Sequence, residues 1–226
     1  MIKLRSEVIE AAKDYRYLLD RGYGQKVSLD LVTSRYLLTR EERALLLRCI
    51  HRTSDYLSIR DKLINDLKGY DLVIDGYNTI LTVVSALEGR HLYLCDDCIV
   101  RDLRSSYVKD FTTKLINTAI AIIRDYLSML KPSSVTIILD RNVSWSGKHA
   151  EIIKSLMPSA NVRLARKADI EVIGSTSVVS SSDFVILERV KYVYDLAGNI
   201  VLKNFPNNII RIDELVCKEP CNLKVK

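Results

Sequence analysis

The sequence predicts an α/β protein: a mostly parallel sheet with helices on both faces, preceded by an all-helical N-terminal region. Three observations carry this. Apolar, β-branched runs at Leu72–Ile74 and Val135–Leu139 are continuous rather than alternating, as in strands buried on both faces. Segments of helical periodicity separate these runs, which favours parallel crossovers. Before residue 70 the apolar spacing is helical throughout.

The elements follow in order. Leu4, Val8, Ala11, Ala12, Tyr15, Leu18 and Leu19 recur at helical spacing, and Arg21-Gly-Tyr-Gly24 ends that helix. A second helix is expected from Ser28 to Leu38. Thr39-Arg-Glu-Glu42 reads as a capping box opening a third, which turns Leu45, Leu46, Cys49 and Ile50 inward. The same helix is expected to leave Arg40, Arg43, Arg48 and Arg52 at the surface. A fourth helix runs from Tyr56 to Lys68. Residues 1–70 are thus expected to form a basic helical domain, either helix-turn-helix-like or a collar on the larger part.

Residues 71–226 form the expected α/β domain. Strand Leu72–Ile74 leads to a helix over Thr79–Leu87, a short strand over His91–Leu94 and a long helix over Val108–Leu130. Strand Val135–Leu139, helix Gly147–Leu156 and strand Asn161–Leu164 follow. Val178-Val179 and Tyr192–Tyr194 are expected to be short strands.

The chemistry is concentrated where strands end. Asp75 and Asp140 each stand directly after an apolar strand, and Asp183 follows Val178-Val-Ser-Ser-Ser182. Asp169 opens another local segment. In open α/β sheets, ligands bind outside the carboxyl ends of the strands. One such aspartate alone caps a helix or makes a turn. Several converging on one edge repel each other unless a hard cation neutralises them, which points to Mg²⁺ or Mn²⁺. Asp97, Arg101 and Asp102 follow a short strand, so Asp97 is a candidate further ligand and Arg101 a candidate phosphate contact. Asn78, Ser144, Ser146 and Lys148 lie where helices begin and are candidate substrate contacts.

Bulk properties narrow the class. Residues 1–70 hold 14 Lys and Arg against 10 Asp and Glu, and the remainder 20 against 18, so the excess charge lies mainly in the smaller part. An anionic polymer suits that distribution. No apolar run approaches the ~20 residues of a membrane span, and the expected compartment is the cytoplasm. Cys49, Cys95, Cys98, Cys217 and Cys221 are odd in number and lack framework spacing, which argues against a disulfide scaffold. Reduced thiols, or a four-thiolate zinc site from the last four, are the alternatives. Self-association stays open.

The pattern over residues 71–195 resembles the PIN-like nucleases, especially their NYN branch. The matching positions are Asp75-Gly-Tyr-Asn78, Asp140, Ala168-Asp169 and Ser182-Asp183. The resemblance implies catalytic Asp75, Asp140 and Asp183, one or two divalent metals held by these and Asp169, and RNA as substrate. The whole chain also looks like a largely archaeal family joining a short helical domain to a PIN-like domain, with blocks similar to Asp96-Asp97-Cys98-Ile-Val-Arg101-Asp102 and Asp140-Arg-Asn-Val-Ser144-Trp-Ser146-Gly147. One departure stands out. Only 13 residues separate Asp169 from Asp183, so the helix usually found between these elements must be shortened or missing. A binding protein that keeps the fold without cutting RNA is the alternative implied.

Overall fold

The computed structural model describes residues 4–103 and 114–222. Its N-terminal region folds as α1 (Ser6–Asp20), α2 (Gln25–Arg35), α3 (Arg40–Cys49) and α4 (Thr53–Asp61). Both legs of the capping box form: the Glu42 amide donates to Thr39 Oγ1 at 3.2 Å, and the Thr39 amide to Glu42 Oε2 at 2.8 Å. α4 ends seven residues before Lys68, because Leu63 leaves the helix to bridge Val193. The arginines assigned to a free surface are mostly occupied. Arg43 pairs with Asp30, Arg48 donates to the Asp102 carbonyl, and Arg52 to the Leu19 carbonyl.

The central sheet is wholly parallel, with strand order β5 (Asn161–Ala165), β4 (Ser134–Asp140), β1 (Asp71–Asp75), β6 (Val178–Ser180). Leu72, Ile74, Ile137, Leu139 and Val178 face one side and pack under α5 (Gly76–Leu87), α6 (Lys114–Leu130), α7 (Ser146–Leu156) and α10 (Leu196–Asn204). Val73, Ile138 and Val179 face the other, beneath α8 (Ala168–Ile173) and α9 (Phe184–Arg189). The α/β class with helices on both faces is what the continuous apolar strands required. α8 has six residues, which is the shortened helix the close spacing of Asp169 and Asp183 demanded. The start of the long helix expected over residues 108–113 lies outside the described residues.

Several expectations change. The strand expected at His91–Leu94 does form as β2 (Leu92–Leu94), but it belongs to a second sheet. There it pairs antiparallel with β3 (Val100–Arg101) and parallel with β7 (Ile209–Arg211). Tyr192–Tyr194 contributes only single bridges through Val193. α9, α10, β7 and α11 (Asp213–Val216) were not foreseen, being short or lacking strong periodicity. β7 and α11 carry the chain back onto the N-terminal helices, where Ile212 joins Val8, Tyr15 and Leu46 in one core. Arg16 donates to the Val216 carbonyl and Arg60 to the Glu219 carbonyl.

The same return brings Cys221 against Cys98, and the two form a disulfide with Cα atoms 5.6 Å apart. This corrects the reading of five reduced thiols and removes two ligands from a four-thiolate zinc site. The partners lie 123 residues apart, so no local spacing could signal them.

Gly76 serves packing rather than turn geometry. Its backbone does not adopt the left-handed conformation. Instead a Cβ there would meet Leu139 Cδ2 at 2.5 Å, Ile137 Cγ2 at 2.8 Å and the Ile138 carbonyl at 3.0 Å. The glycine lets α5 start directly on top of β4. Gly76→Ala is therefore expected to lower stability by about 1–3 kcal/mol through overpacking. An unchanged urea midpoint would show that the helix shifts freely.

Candidate active site at the carboxyl edge of the sheet

The pleat sets which way the acids point. Asp75 ends β1 and shares the face of Val73; it is registered with Ile138, and Asp140 lies two residues beyond Ile138 on the same side of β4. Both carboxylates thus stand at the carboxyl edge, towards the side covered by α8 and α9. Asp169 is exposed in the first turn of α8, and Asp183 is the residue on which α9 begins.

Hydrogen bonds tie Asp75 to the loop after β6. Ser181 Oγ donates to Asp75 Oδ2 at 2.8 Å and accepts from the Asp183 amide at 3.1 Å. Asp183 Oδ1 accepts from the Val185 amide at 2.8 Å, capping α9. Burial pushes the Asp75 carboxyl up to about 7. The Ser181 hydroxyl opposes this, and the charges of Asp183 and Asp169 reinforce it. Asp140 Oδ1 accepts from the Asn142 amide at 2.7 Å. The Asp140 charge adds to burial in raising the Tyr77 hydroxyl, which is 2.9 Å from His149 Nδ1.

No three of these rim carboxylates come within 4.8 Å of one another. Among the described residues only His51, Asp96 and Asp97 offer ligand atoms that close. That trio is saturated by cations. Asp96 Oδ2 accepts from Arg16 at 2.6 Å and from the His51 amide at 2.7 Å, while Asp96 Oδ1 lies 2.6 Å from His51 Nδ1. Arg101 binds both oxygens of Asp97. A metal ion there would sit against two guanidinium groups, so the trio is better read as an ion-pair network joining the two regions.

Asp97 and Arg101 are accordingly not rim groups. Both are buried, Asp97 in the β2–β3 turn and Arg101 on β3. Burial alone would raise the Asp97 carboxyl, but Arg101 outweighs it and holds the group below its usual range. Arg101 Nε also donates to the Ser182 carbonyl at 2.8 Å, so the pair supports the loop that carries Asp183. Asp102 is half-buried and accepts from Ser85 Oγ at 2.6 Å.

Two other candidates prove structural in their contacts. Asn78 Oδ1 accepts from the Ser182 amide at 2.7 Å, locking the β1–α5 turn to the β6–α9 loop. Ser146 is buried, and its Oγ donates to the Arg141 carbonyl at 3.1 Å. Ser144 and Lys148 are exposed. Lys148 Nζ lies 4.4 Å from the centre of the Trp145 ring.

Sequence reasoning missed His149 and Asp195. His149 showed no metal-ligand spacing, and only the meeting of α5 with α7 places it on Tyr77. Asp195 is buried, accepts from the Val100 and Gly198 amides, and is pushed up by burial to about 6. Its position three residues before Gly198, at the head of an apolar run, was the available signal.

Residues 64–199 match a family model described as "Domain of unknown function (DUF5616)", and residues 7–62 match one described as "Protein of unknown function (DUF434)". The chain is similar to an uncharacterized protein of Methanocaldococcus jannaschii, at 33% identity over 202 residues, covering 85% of this chain and 96% of that protein. No solved structure matches it.

Proposed function

From the premise that the chain belongs to the family of the domain of unknown function DUF5616, we propose that it is a divalent-metal-dependent ribonuclease with a PIN-like α/β domain. Membership names relatives and no chemistry, so the reading rests on the site. The observation that carries it is Asp75. This carboxyl is raised to about 7 by burial and by its acidic neighbours, at the edge where parallel sheets bind ligands. A group so placed is relieved by a hard cation.

The donor set fits Mg²⁺ or Mn²⁺, because it is made of carboxylate oxygens. Such ions keep several waters and need only one or two carboxylates, which suits acids spaced more widely than a closed cage. Asp75 and Asp140 would hold the ion, with Asp183 and Asp169 acting through water. When bound, the ion activates a water and stabilises charge on the phosphate. Ser181 fixes the orientation of Asp75, and the Asp183 amide fixes Ser181 in turn. Asp183 Oδ2 and Asp140 Oδ2 make no hydrogen bond among the described residues and so remain able to accept.

Metal binding requires the ionised form of Asp75, and this gives the test. Mn²⁺ affinity in calorimetry is expected to rise as pH climbs from about 5 to about 7 and then to level off. Without metal the sign reverses. The folded pKa lies above the ordinary value of 3.8, so the contribution of Asp75 to stability is present at low pH and is lost as pH rises through about 7. Mn²⁺ should therefore stabilise the fold more at pH 8 than at pH 5. A protein that binds RNA but shows neither Mn²⁺ binding nor cleavage would be a binding protein on the same scaffold.

A further inference from the structure

The β4–α7 loop carries a feature that metal chemistry does not use. Trp145, the single tryptophan of the chain, is 67% exposed and sits at φ +65°, in the left-handed region that a bulky residue rarely adopts. An indole held in water by an unfavourable backbone contributes nothing to the core. It stands five residues after Asp140 and directly before α7.

Exposed cations lie on this loop, on the β5–α8 loop bonded to it and in the first turn of α7. The Arg141 amide donates to the Ala165 carbonyl at 2.7 Å, and Asn142 Nδ2 donates to the Arg166 carbonyl at 2.9 Å. These bonds join the β4–α7 loop to the β5–α8 loop. Arg141, Arg166, Lys167 and Lys148 are all exposed, and none makes a salt bridge among the described residues. Arg5–Glu42, Arg43–Asp30 and Arg163–Glu171 show the ion pairing that these four lack. Four cations outside any salt bridge can attract a polyanion that the neighbouring acidic cluster by itself would repel. Lys148 lies over the Trp145 ring.

We propose that Trp145 is a stacking platform for an unpaired base of single-stranded RNA, whose phosphates run across Arg141, Lys148, Arg166 and Lys167 towards Asp140. This rests on the ribonuclease reading for its substrate class. Base–aromatic stacking tolerates any base but needs an open one, so the surface selects unpaired strands rather than a sequence. The left-handed position at Trp145 holds the ring out of the core and towards solvent, where a base can reach it.

The test uses the full chain without metal, so that no cleavage occurs. A short oligouridylate RNA is titrated against the intrinsic fluorescence of Trp145, with the same RNA annealed to its complement as the paired control. The single strand is expected to quench the fluorescence, with log affinity falling against log salt at a slope of about −3 if all four cations engage phosphates at ~0.7 each. Trp145→Gly should weaken binding about tenfold by anisotropy. It should leave the melting temperature equal or higher, since glycine accepts this backbone. Trp145→Phe should recover most of the affinity. Duplex binding as tight as single-strand binding, or wild-type affinity in Trp145→Gly, would overturn the proposal. Cleavage by Trp145→Gly at the wild-type rate and affinity would overturn the platform and leave the ribonuclease reading standing. Trp145-dependent binding by a protein that never cleaves would do the reverse.

Discussion

Asp75→Asn is expected to abolish Mn²⁺-dependent cleavage of single-stranded RNA, by well over the ~100-fold that loss of an outer-shell partner costs. Stability should hold or improve. The substituted amide can still accept from Ser181 Oγ, and it removes a half-buried charge whose neighbours Asp183 and Asp169 disfavour it. Loss of function with equal or greater stability is the signature of a residue placed for chemistry rather than for folding. Asp140→Asn should lose activity similarly, since asparagine can retain the turn onto the Asn142 amide but not the charge. Mn²⁺ affinity of the Asp75 variant should also stop depending on pH between 5 and 7. Cleavage by Asp75→Asn at the wild-type rate would remove this carboxylate from the mechanism.

The largest structural effect is expected at Arg101→Met. Arg101 is 3% exposed, binds both oxygens of Asp97, and holds the Ser182 carbonyl through Nε. Its removal leaves Asp97 charged, fully buried and without its guanidinium. Breaking one side of such a pair costs about 3–5 kcal/mol, a large part of the stability of a domain this size. Urea unfolding should show that loss, and adding Asp97→Asn should recover much of it by removing the orphaned charge while keeping the bond from the Ile99 amide. A cost below about 1 kcal/mol for the single substitution would mean that water reaches Asp97. The loop over Ser181–Asp183 should also loosen, so activity in the double variant should fall while stability returns.

Much of the fold was legible because its determinants are local. The apolar runs of β1 and β4, the Thr39–Glu42 box and the amphipathic spacing of α1 each depend on residues a few positions apart, where backbone geometry dictates the pattern. The positions of Asp75, Asp140 and Asp183 at one edge also followed from strand ends, since parallel strands in one sheet bring their carboxyl ends together. Less could be read at the site itself. Asn78, Ser146 and Arg101 are types that bind phosphates or substrates elsewhere, and in sequence nothing separates a donor facing solvent from one facing Ser182 or Arg141.

The sequence by itself determined the α/β class, the parallel strands and the acidic edge, because hydrophobic periodicity and strand-end placement act within single elements. Only the tertiary structure decided that Cys98 meets Cys221, that Asp96 meets Arg16, and that the loop of Trp145 is bonded to the loop carrying Arg166 and Lys167. Those pairings join separate segments, up to 123 residues apart. Their energy arises only when folding takes the groups out of water or brings two loops together, so no local spacing can record it.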